Sequence, residues 1–464
     1  MRRLLALVLL LLPGLAVAQP LGGFPVHRFD EDYRFLADPA RRRDVLDAFK
    51  YLPLGANGSF LTLGGELRER YEWTRNGGFA IGRRPGAPET GEVLLQRLLL
   101  HADLHLGAHF RAFVQLGSFA GLGARGGSLA TTQENRGDLV QGFGELILPL
   151  GTAEARLRAG RQELAFGSGR LVSEREGPNL RRAFDGVRAI VALPGGPRLD
   201  AFVSRPVQPL REGFDDRTNP GEAFWGLYLT APLGGTGLDL YALGTERERA
   251  AFAQGIAFEQ RQTLGARVFG RRGSWAGDWD WDWEAAGQAG RFGGASIRAW
   301  TLATDTGVTF PALPGSPRLG LKADIASGDD TPRDNRLGTF NALYPKVPYF
   351  TEAGLVAPAN LIDLFPSVRL QPVPAVTLEL GWDLLWRQTT ADAIYRPVPF
   401  APLRGTAGHG SAWIGHQVQF AARWALGRHL ELRAWLVHFT VGETIRRAGG
   451  GDVDFAAASL AFRF

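Results

Sequence analysis

Over residues 61–73 the odd positions read Leu61, Leu63, Gly65, Leu67, Glu69, Tyr71 and Trp73, and the even ones Thr62, Gly64, Glu66, Arg68, Arg70 and Glu72. Successive side chains of a strand point to opposite faces, so one face of this segment is mostly apolar and the other charged. The alternation returns elsewhere. Leu98, Leu100, Ala102, Leu104 and Leu106 stand against Arg97, Leu99, His101, Asp103 and His105. Leu319, Leu321, Ala323 and Ile325 stand against Arg318, Gly320, Lys322 and Asp324. Val376, Leu378, Leu380, Trp382, Leu384 and Trp386 stand against Thr377, Glu379, Gly381, Asp383, Leu385 and Arg387. A helix would smear such charges around its whole circumference. Residues 278–284 carry the pattern furthest, with Trp279, Trp281 and Trp283 on one face and Asp278, Asp280, Asp282 and Glu284 on the other. Indoles suit a lipid interface and carboxylates a watery lumen. Each run spans about 8–13 residues, near the roughly 9–11 that a tilted strand needs to cross hydrocarbon.

Short Pro/Gly connectors at 194–197, 232–237, 372–374 and 427–429 predict hairpin turns. Longer polar stretches at 77–92, 206–222 and 327–349 predict loops at the opposite end, the asymmetry of a bacterial outer-membrane barrel. The expected fold is all-β: a transmembrane antiparallel up-and-down β-barrel of about 18 strands, an even number as closure normally requires. Residues 1–18 read as a secretory signal, with Arg2 and Arg3, an apolar stretch at 4–12, and Ala16-Val17-Ala18 for cleavage after Ala18. Residues 19–58 are charge-rich, with Asp38-Pro39 suited to start a short helix, and are expected to form an N-terminal periplasmic extension or plug-like segment. Residues 59–464 are the expected barrel, in the outer membrane of a Gram-negative bacterium.

Composition narrows the chemistry. No apolar run of about 18 residues follows the leader, which excludes membrane-spanning helices. A mean hydropathy of −0.09 is compatible with a barrel, since only alternate strand residues meet lipid. The absence of cysteine removes disulfides and Cys-based zinc, redox or nucleophile chemistry. The formal charge of +5 falls to about +3 without the leader, too small to argue for nucleic acid. No GxSxG elbow occurs and no nucleophile is paired with a base, so neither an enzyme nor a cofactor is expected. His101, Asp103 and His105 share a face at a spacing that suits a metal, but with no fourth ligand they read as lumen residues. Residues 327–335 lack the spacing and bidentate Glu of an EF-hand and read as a polar outer loop.

One passage is recognisable. Gly160-Arg161-Gln162-Glu163-Leu164 leads to Gly169-Arg170-Leu171-Val172-Ser173, then Arg175-Glu176-Gly177-Pro178-Asn179, Arg181-Arg182 and Phe184-Asp185-Gly186-Val187-Arg188. Gly338-Thr339-Phe340-Asn341-Ala342-Leu343-Tyr344-Pro345, Pro358-Ala359-Asn360-Leu361-Ile362-Asp363, and Trp382-Asp383 with Trp386-Arg387-Gln388 agree with it. Together they resemble the alginate export family of outer-membrane barrels, over about residue 61 to the C-terminus. The terminal strand, with Ala456, Ala458, Leu460, Phe462 and Phe464 on one face, matches the pattern by which such barrels are recognised for assembly. The resemblance implies a monomer that passes an anionic polysaccharide, alginate-like, or a related anionic solute. Its partners would be outer-membrane lipid, the solute and periplasmic export components. A substrate-selective porin for small anionic nutrients, such as aromatic or sugar acids, is the alternative.

A uronate polymer carries one carboxylate per sugar, and a narrow tube must replace its hydration and counterions with fixed positive charge. Arginine suits this, because it stays charged and offers a planar fork to carboxylates. Residues 156–188 hold Arg156, Arg158, Arg161, Arg170, Arg175, Arg181, Arg182 and Arg188, with Asp185 among them. Parity sends Arg156, Arg158 and Arg188 toward the lumen, as it does Arg68 and Arg387. Arg161 breaks parity and needs a bulge near Gly160 to face inward. Residues 170–182 read as a loop able to fold into the pore as a constriction. These arginines are the candidate pore lining.

Overall fold

The computed structural model describes residues 24–55, 57–125 and 129–464. The expected leader at 1–18 and its cleavage site lie outside the described residues. The alternation of polar and apolar residues resolves into strands β1 (Phe60–Arg75), β2 (Thr90–Leu106), β3 (Phe110–Arg125), β4 (Asn135–Leu150), β5 (Ala153–Gln162) and β6 (Phe184–Ala192). The wall continues with β7 (Arg198–Gln208), β8 (Glu222–Leu233), β9 (Thr236–Phe252), β10 (Gly255–Ser274), β11 (Gly277–Phe292) and β12 (Ala295–Thr309). It ends with β13 (Arg318–Ala326), β14 (Leu361–Val373), β15 (Val376–Trp386), β16 (Trp413–Ala425), β17 (Leu430–Val441) and β18 (Val453–Arg463). Each pairs antiparallel with the next, and β1 meets β18 from Glu66↔Arg463 to Arg75↔Asp454, closing an 18-stranded barrel.

Parity decides what each strand shows to lipid. On β11, Trp279 and Trp283 are 45% and 48% exposed, whereas Glu284 is buried inside. Leu319, Leu321, Leu380 and Trp382 likewise face out, while Asp324 and Asp383 are buried. Closure leaves no sheet edge, so every wall strand has its backbone partners within the barrel, as a hydrocarbon surround demands. At the end where β1 begins and the chain finishes, connections are short: 151–152, 193–197, 234–235, 374–375 and 426–429. At the other end they include 163–183, 209–221, 327–360 and 387–412, but the β9–β10 and β11–β12 links at 253–254 and 293–294 are two-residue turns on strands that overshoot the bilayer. By the asymmetry of such barrels, the short turns are periplasmic and the long loops extracellular.

Two of the long loops turn inward and form the core. Leu171 and Val172 of one pack with Phe340, Leu343 and Tyr344 of the other, against Phe184, Phe202, Phe224 and Tyr228 of the wall. The loops zip together through backbone bonds, Tyr344 N to Leu171 O and Ser173 N to Tyr344 O, each 2.9 Å, and Lys346 N to Gly169 O at 2.8 Å. Gly177 marks their closest approach, since a Cβ there would stand 2.2 Å from Val347 O. Asp38 accepts a hydrogen bond from Ala40 N and starts a 3-10 turn at Pro39–Arg41.

Candidate functional site

The 163–183 loop is a bridge tied to opposite walls. On β11, Asp282 Oδ1 and Glu284 Oε2 accept from Arg170 Nη1 at 2.6 and 3.2 Å. Across the bore, Arg68 of β1 donates to the carbonyls of Glu176 and Pro178 at 3.2 and 3.3 Å. β1 and β11 stand nearly diametrically apart in the strand order, so the loop divides the lumen into an extracellular and a periplasmic half. Its anchor is Glu176, which accepts from Arg97 of β2 and from Arg181 Nε at 2.5 Å. Burial alone would raise the Glu176 pKa, but the charges of Arg181, Arg97 and Arg68 hold it well below the ordinary carboxylate range.

Most of the candidate arginines are neutralised by neighbours. Arg156 Nε donates to Glu154 at 2.5 Å, Arg158 Nε to Glu145 at 2.8 Å, and Arg188 Nε to Asp200 at 2.8 Å. These three line a periplasmic-side basin of about 420 Å³, together with Phe166 and Tyr228 and with His27 and Phe29 of the N-terminal stretch. Arg181 also approaches Glu163 at 3.6 Å. Two further placements differ from the expectation of a shared pore lining. The β4–β5 and β5–β6 ladders run through Gly160 without a register shift, so the bulge needed to turn Arg161 inward does not form. Arg161 therefore keeps the outward parity of Leu157 and donates to Asp185 directly opposite, at 2.8 and 3.1 Å, with Thr218 Oγ1 also on Asp185 at 2.6 Å, and it borders the lumen only at its extracellular mouth, beside Asp216. Arg387, 1% exposed, sits inside the outer-loop core. It donates to the carbonyls of Thr390, Asp392, Thr406, His409 and Ser411 at 2.6–3.2 Å, and so organises the 387–412 loop.

Where the two inward loops meet, three cations stand without a carboxylate. Among the described residues, Arg175, Arg182 and Lys346 have none within 4.0 Å. Arg175 is 8% exposed; its Nη2 donates to Leu180 O at 3.3 Å and its Nε has no partner. It also holds φ at +62°, a left-handed conformation that costs a non-glycine residue about 1–3 kcal/mol and that clusters at functional sites. Arg182 donates to Ser173 O and Pro345 O at 3.3 and 3.4 Å and lies over the Tyr344 ring. Burial and the nearby Arg182 charge push the Arg175 pKa down to about 9, and burial pushes Arg182 to about 10. Lys346 falls to about 8 through burial and the charges of Lys322 and Arg170. Each shift reports positive charge held out of water and at most partly offset by its neighbours.

These cations border a chain of cavities. An extracellular vestibule of about 810 Å³ is floored by Arg175, Arg182 and Tyr344. It shares Arg70, Gly177, Val347, Pro348 and Glu352 with a second cavity of about 270 Å³, which adds Lys346, Arg433 and Arg463. That one shares Glu176, Glu431, Arg433 and Arg463 with a third of about 140 Å³, reaching Arg423, Arg428 and the periplasmic turn. Arg70, Arg433 and Arg463 along this side lie 2.6–2.7 Å from Glu352, Glu431 and Glu66. Sequence reasoning passed over Lys346, Arg70 and Arg463 as candidates. Parity alone marks Arg70 and Arg463 as inward-facing, whereas Lys346 belongs to a loop that carries no period.

Several of the lumen's acidic residues are paired too, with Asp280 2.5 Å from Arg318, Asp282 2.6 Å from Arg267 and Asp103 2.6 Å from Arg111, whereas among the described residues the buried Asp324, Asp363 and Asp383 have no cation within 4.0 Å. His101 lies 3.8 Å from Glu31 and His105 3.4 Å from Asp103, partners that pack the lumen.

No curated protein matches the chain in sequence. Among solved structures it is similar to Pseudomonas aeruginosa OccK9 (OpdG), with a TM-score of 0.59 at 14% identity, covering 87% of this chain and 98% of that one. OccK8 (OprE) and OpdK with vanillate, both from Pseudomonas aeruginosa, give TM-scores of 0.58 and 0.57 at 12% identity, with the same coverages. At such identities the likeness speaks for the fold alone. The family model described as alginate export matches residues 59–459. The chain is thus an outer-membrane β-barrel of transport type, and it belongs to the alginate export family.

Proposed function

We propose that this barrel is an anion-selective conduit for a carboxylate-bearing saccharide, an alginate-like polysaccharide or its fragments. The solute passes the bridge loop beside Arg175, Arg182 and Lys346. The observation that carries the reading is the lack of any carboxylate partner for the two arginines at the vestibule floor, in a lumen where the wall arginines are paired. A buried guanidinium with free donors gains most from a ligand that brings its own oxygen anion, and the planar fork fits a carboxylate. The route lies within one chain, so a monomer suffices, and nothing in the reading needs a cofactor or a catalytic group.

A porin for small aromatic or sugar acids is the second reading. The narrowing to about 140 Å³ at the periplasmic end favours it, as does the vanillate named with one structural neighbour. Planar-bilayer recordings separate the two. Current blocked by oligouronates from the extracellular side, at concentrations where monomeric acids leave it unchanged, supports the saccharide. Block by small acids alone supports the porin, and cation selectivity with block by neither overturns both.

A further inference from the structure

The conduit ends on a stretch of chain that the barrel wall does not use. Val26, Arg28 and Phe29 enter the periplasmic half of the lumen and are held at several points. Arg28 donates to Gly65 O at 3.0 Å and to Phe464 O at 2.5 Å, which seats it on the seam where the first and last strands meet. Phe29 fills a socket made by the edges of Phe113 and Phe143, with ring centroids 5.9 and 5.6 Å away, under the guanidinium of Arg158 at 4.4 Å. Arg111 donates to Phe29 O. Farther along, Asp44 lies 3.0 Å from His429 and Asp47 2.8 Å from Arg428, so the segment is also pinned to the 426–429 turn.

The same stretch touches the bridge loop. His27 Nδ1 lies 3.1 Å from Glu163 Oε2 and its Nε2 3.9 Å from Glu174, while Arg181 Nη1 donates to Val26 O at 3.0 Å. Burial alone would lower the His27 pKa, but its hydrogen bond to Glu163 and the charges of Glu163, Glu174 and Asp30 lift it above the ordinary value. Arg181 shares Glu163 with it. Phe24, Pro25, Val26 and Arg28 line the last cavity, about 140 Å³ against about 810 Å³ in the vestibule. A space of that size accepts about one benzene-sized ring, as an engineered cavity of roughly 150 Å³ does, and not a run of sugars.

We propose that residues 24–51 are an intramolecular plug. Seated, they close the periplasmic end and brace the bridge loop; a polymer passes only when the Phe29 socket and the His27 contact are vacated. This rests on the saccharide reading above, and it reconciles a narrow exit with a chain-like cargo, because the obstruction is a separate segment and not the wall.

The test uses the full chain in planar bilayers, with two variants of opposite effect. His27→Ala with Phe29→Ala empties the socket and the loop contact and leaves Arg28 on the seam. Single-channel conductance should rise about threefold or more, as expected when a constriction in series is removed. Phe24→Cys with His429→Cys, whose native rings lie 5.7 Å apart, joined by a short bismaleimide in this otherwise cysteine-free chain, pins the obstructing end of the segment to the turn, and the cross-linked protein should pass no oligouronate. Wild-type conductance in the unseated variant, with the unboiled barrel's gel mobility intact, overturns the plug. So does oligouronate passage through the cross-linked protein, a result that stands even if the first variant does not fold. The conduit's selectivity is read separately, from the reversal potential: loss of anion preference in every protein would sink the proposed function and leave the conductance ratio interpretable.

Discussion

Replacing Arg175 and Arg182 together by Gln removes the two uncompensated charges at the vestibule floor and keeps side-chain bulk. Arg175 stays at φ +62°, which is as unfavourable for Gln as for Arg, so the backbone cost is unchanged. A hydrogen bond from a charged donor to a carboxylate contributes about 1.5–3 kcal/mol net. At about 1.4 kcal/mol per factor of ten, each guanidinium is then worth roughly tenfold in solute affinity and the pair about a hundredfold. Screening at about 0.1 M salt trims this little, because the groups are buried and within a Debye length of the solute. The assay is the reversal potential across a bilayer under a potassium chloride gradient, with oligouronate block as a second readout. The wild-type chain should prefer anions. The double variant should lose that preference and need about a hundredfold more oligouronate for half block. Arg161→Gln, at a guanidinium that borders the same vestibule but is already neutralised by Asp185, should change neither. A double variant with wild-type selectivity and block would refute the assignment of the floor, and a matching loss in Arg161→Gln would mean that any arginine serves.

Three further outcomes follow from the geometry. Lys346, lowered to about 8, is charged below that pH and loses its charge as pH rises through it, so anion preference should fall between about pH 7 and 9. Lys346→Arg should flatten that profile, and a flat wild-type profile would remove Lys346 from the conduit. Leu380 is 54% exposed on the lipid face of β15, and Leu380→Arg should cost roughly 2–4 kcal/mol of insertion at mid-membrane, measured by folding into vesicles; unaltered folding would place it outside the hydrocarbon. Arg387→Ala removes five hydrogen bonds to loop carbonyls, of which Thr390 O and Ser411 O keep a second donor, at a cost on the order of 3 kcal/mol, so protease should cut the 387–412 loop while the barrel's heat-modifiable mobility persists; a protease-resistant loop would contradict the hub role.

The wall could be read from the sequence because a bilayer imposes a strict rule on each strand residue: one face meets hydrocarbon, the other water or protein. The indoles of Trp279 and Trp283 and the leucines at 319, 321 and 380 obey it, as do Arg158 and Arg188 facing in. Parity tells which way a side chain points but not how high it stands or what it meets. Arg161 lies at the rim, above the zone where an outward arginine is costly, so its outward parity needed no bulge to correct it. Arg387 begins a loop, where the two-residue period has already ended. Which arginines keep a free charge was out of reach, because pairing depends on loops that return from far along the chain: Glu176 meets Arg97 and Arg68, and Arg170 meets Asp282. Lys346 was hidden for the same reason. It reaches the conduit only because the 163–183 and 327–360 loops zip together inside the barrel.

The most direct test of the conduit is to locate a bound acid. A structure of the protein soaked with a bromine-bearing small carboxylate, read by the anomalous signal of the bromine, reports where in the lumen anions settle. The account predicts a carboxylate within about 3 Å of the Arg175 or Arg182 guanidinium at the vestibule floor. Anomalous density confined to the basin beside Arg156 and Arg188, with nothing at that floor, would contradict it.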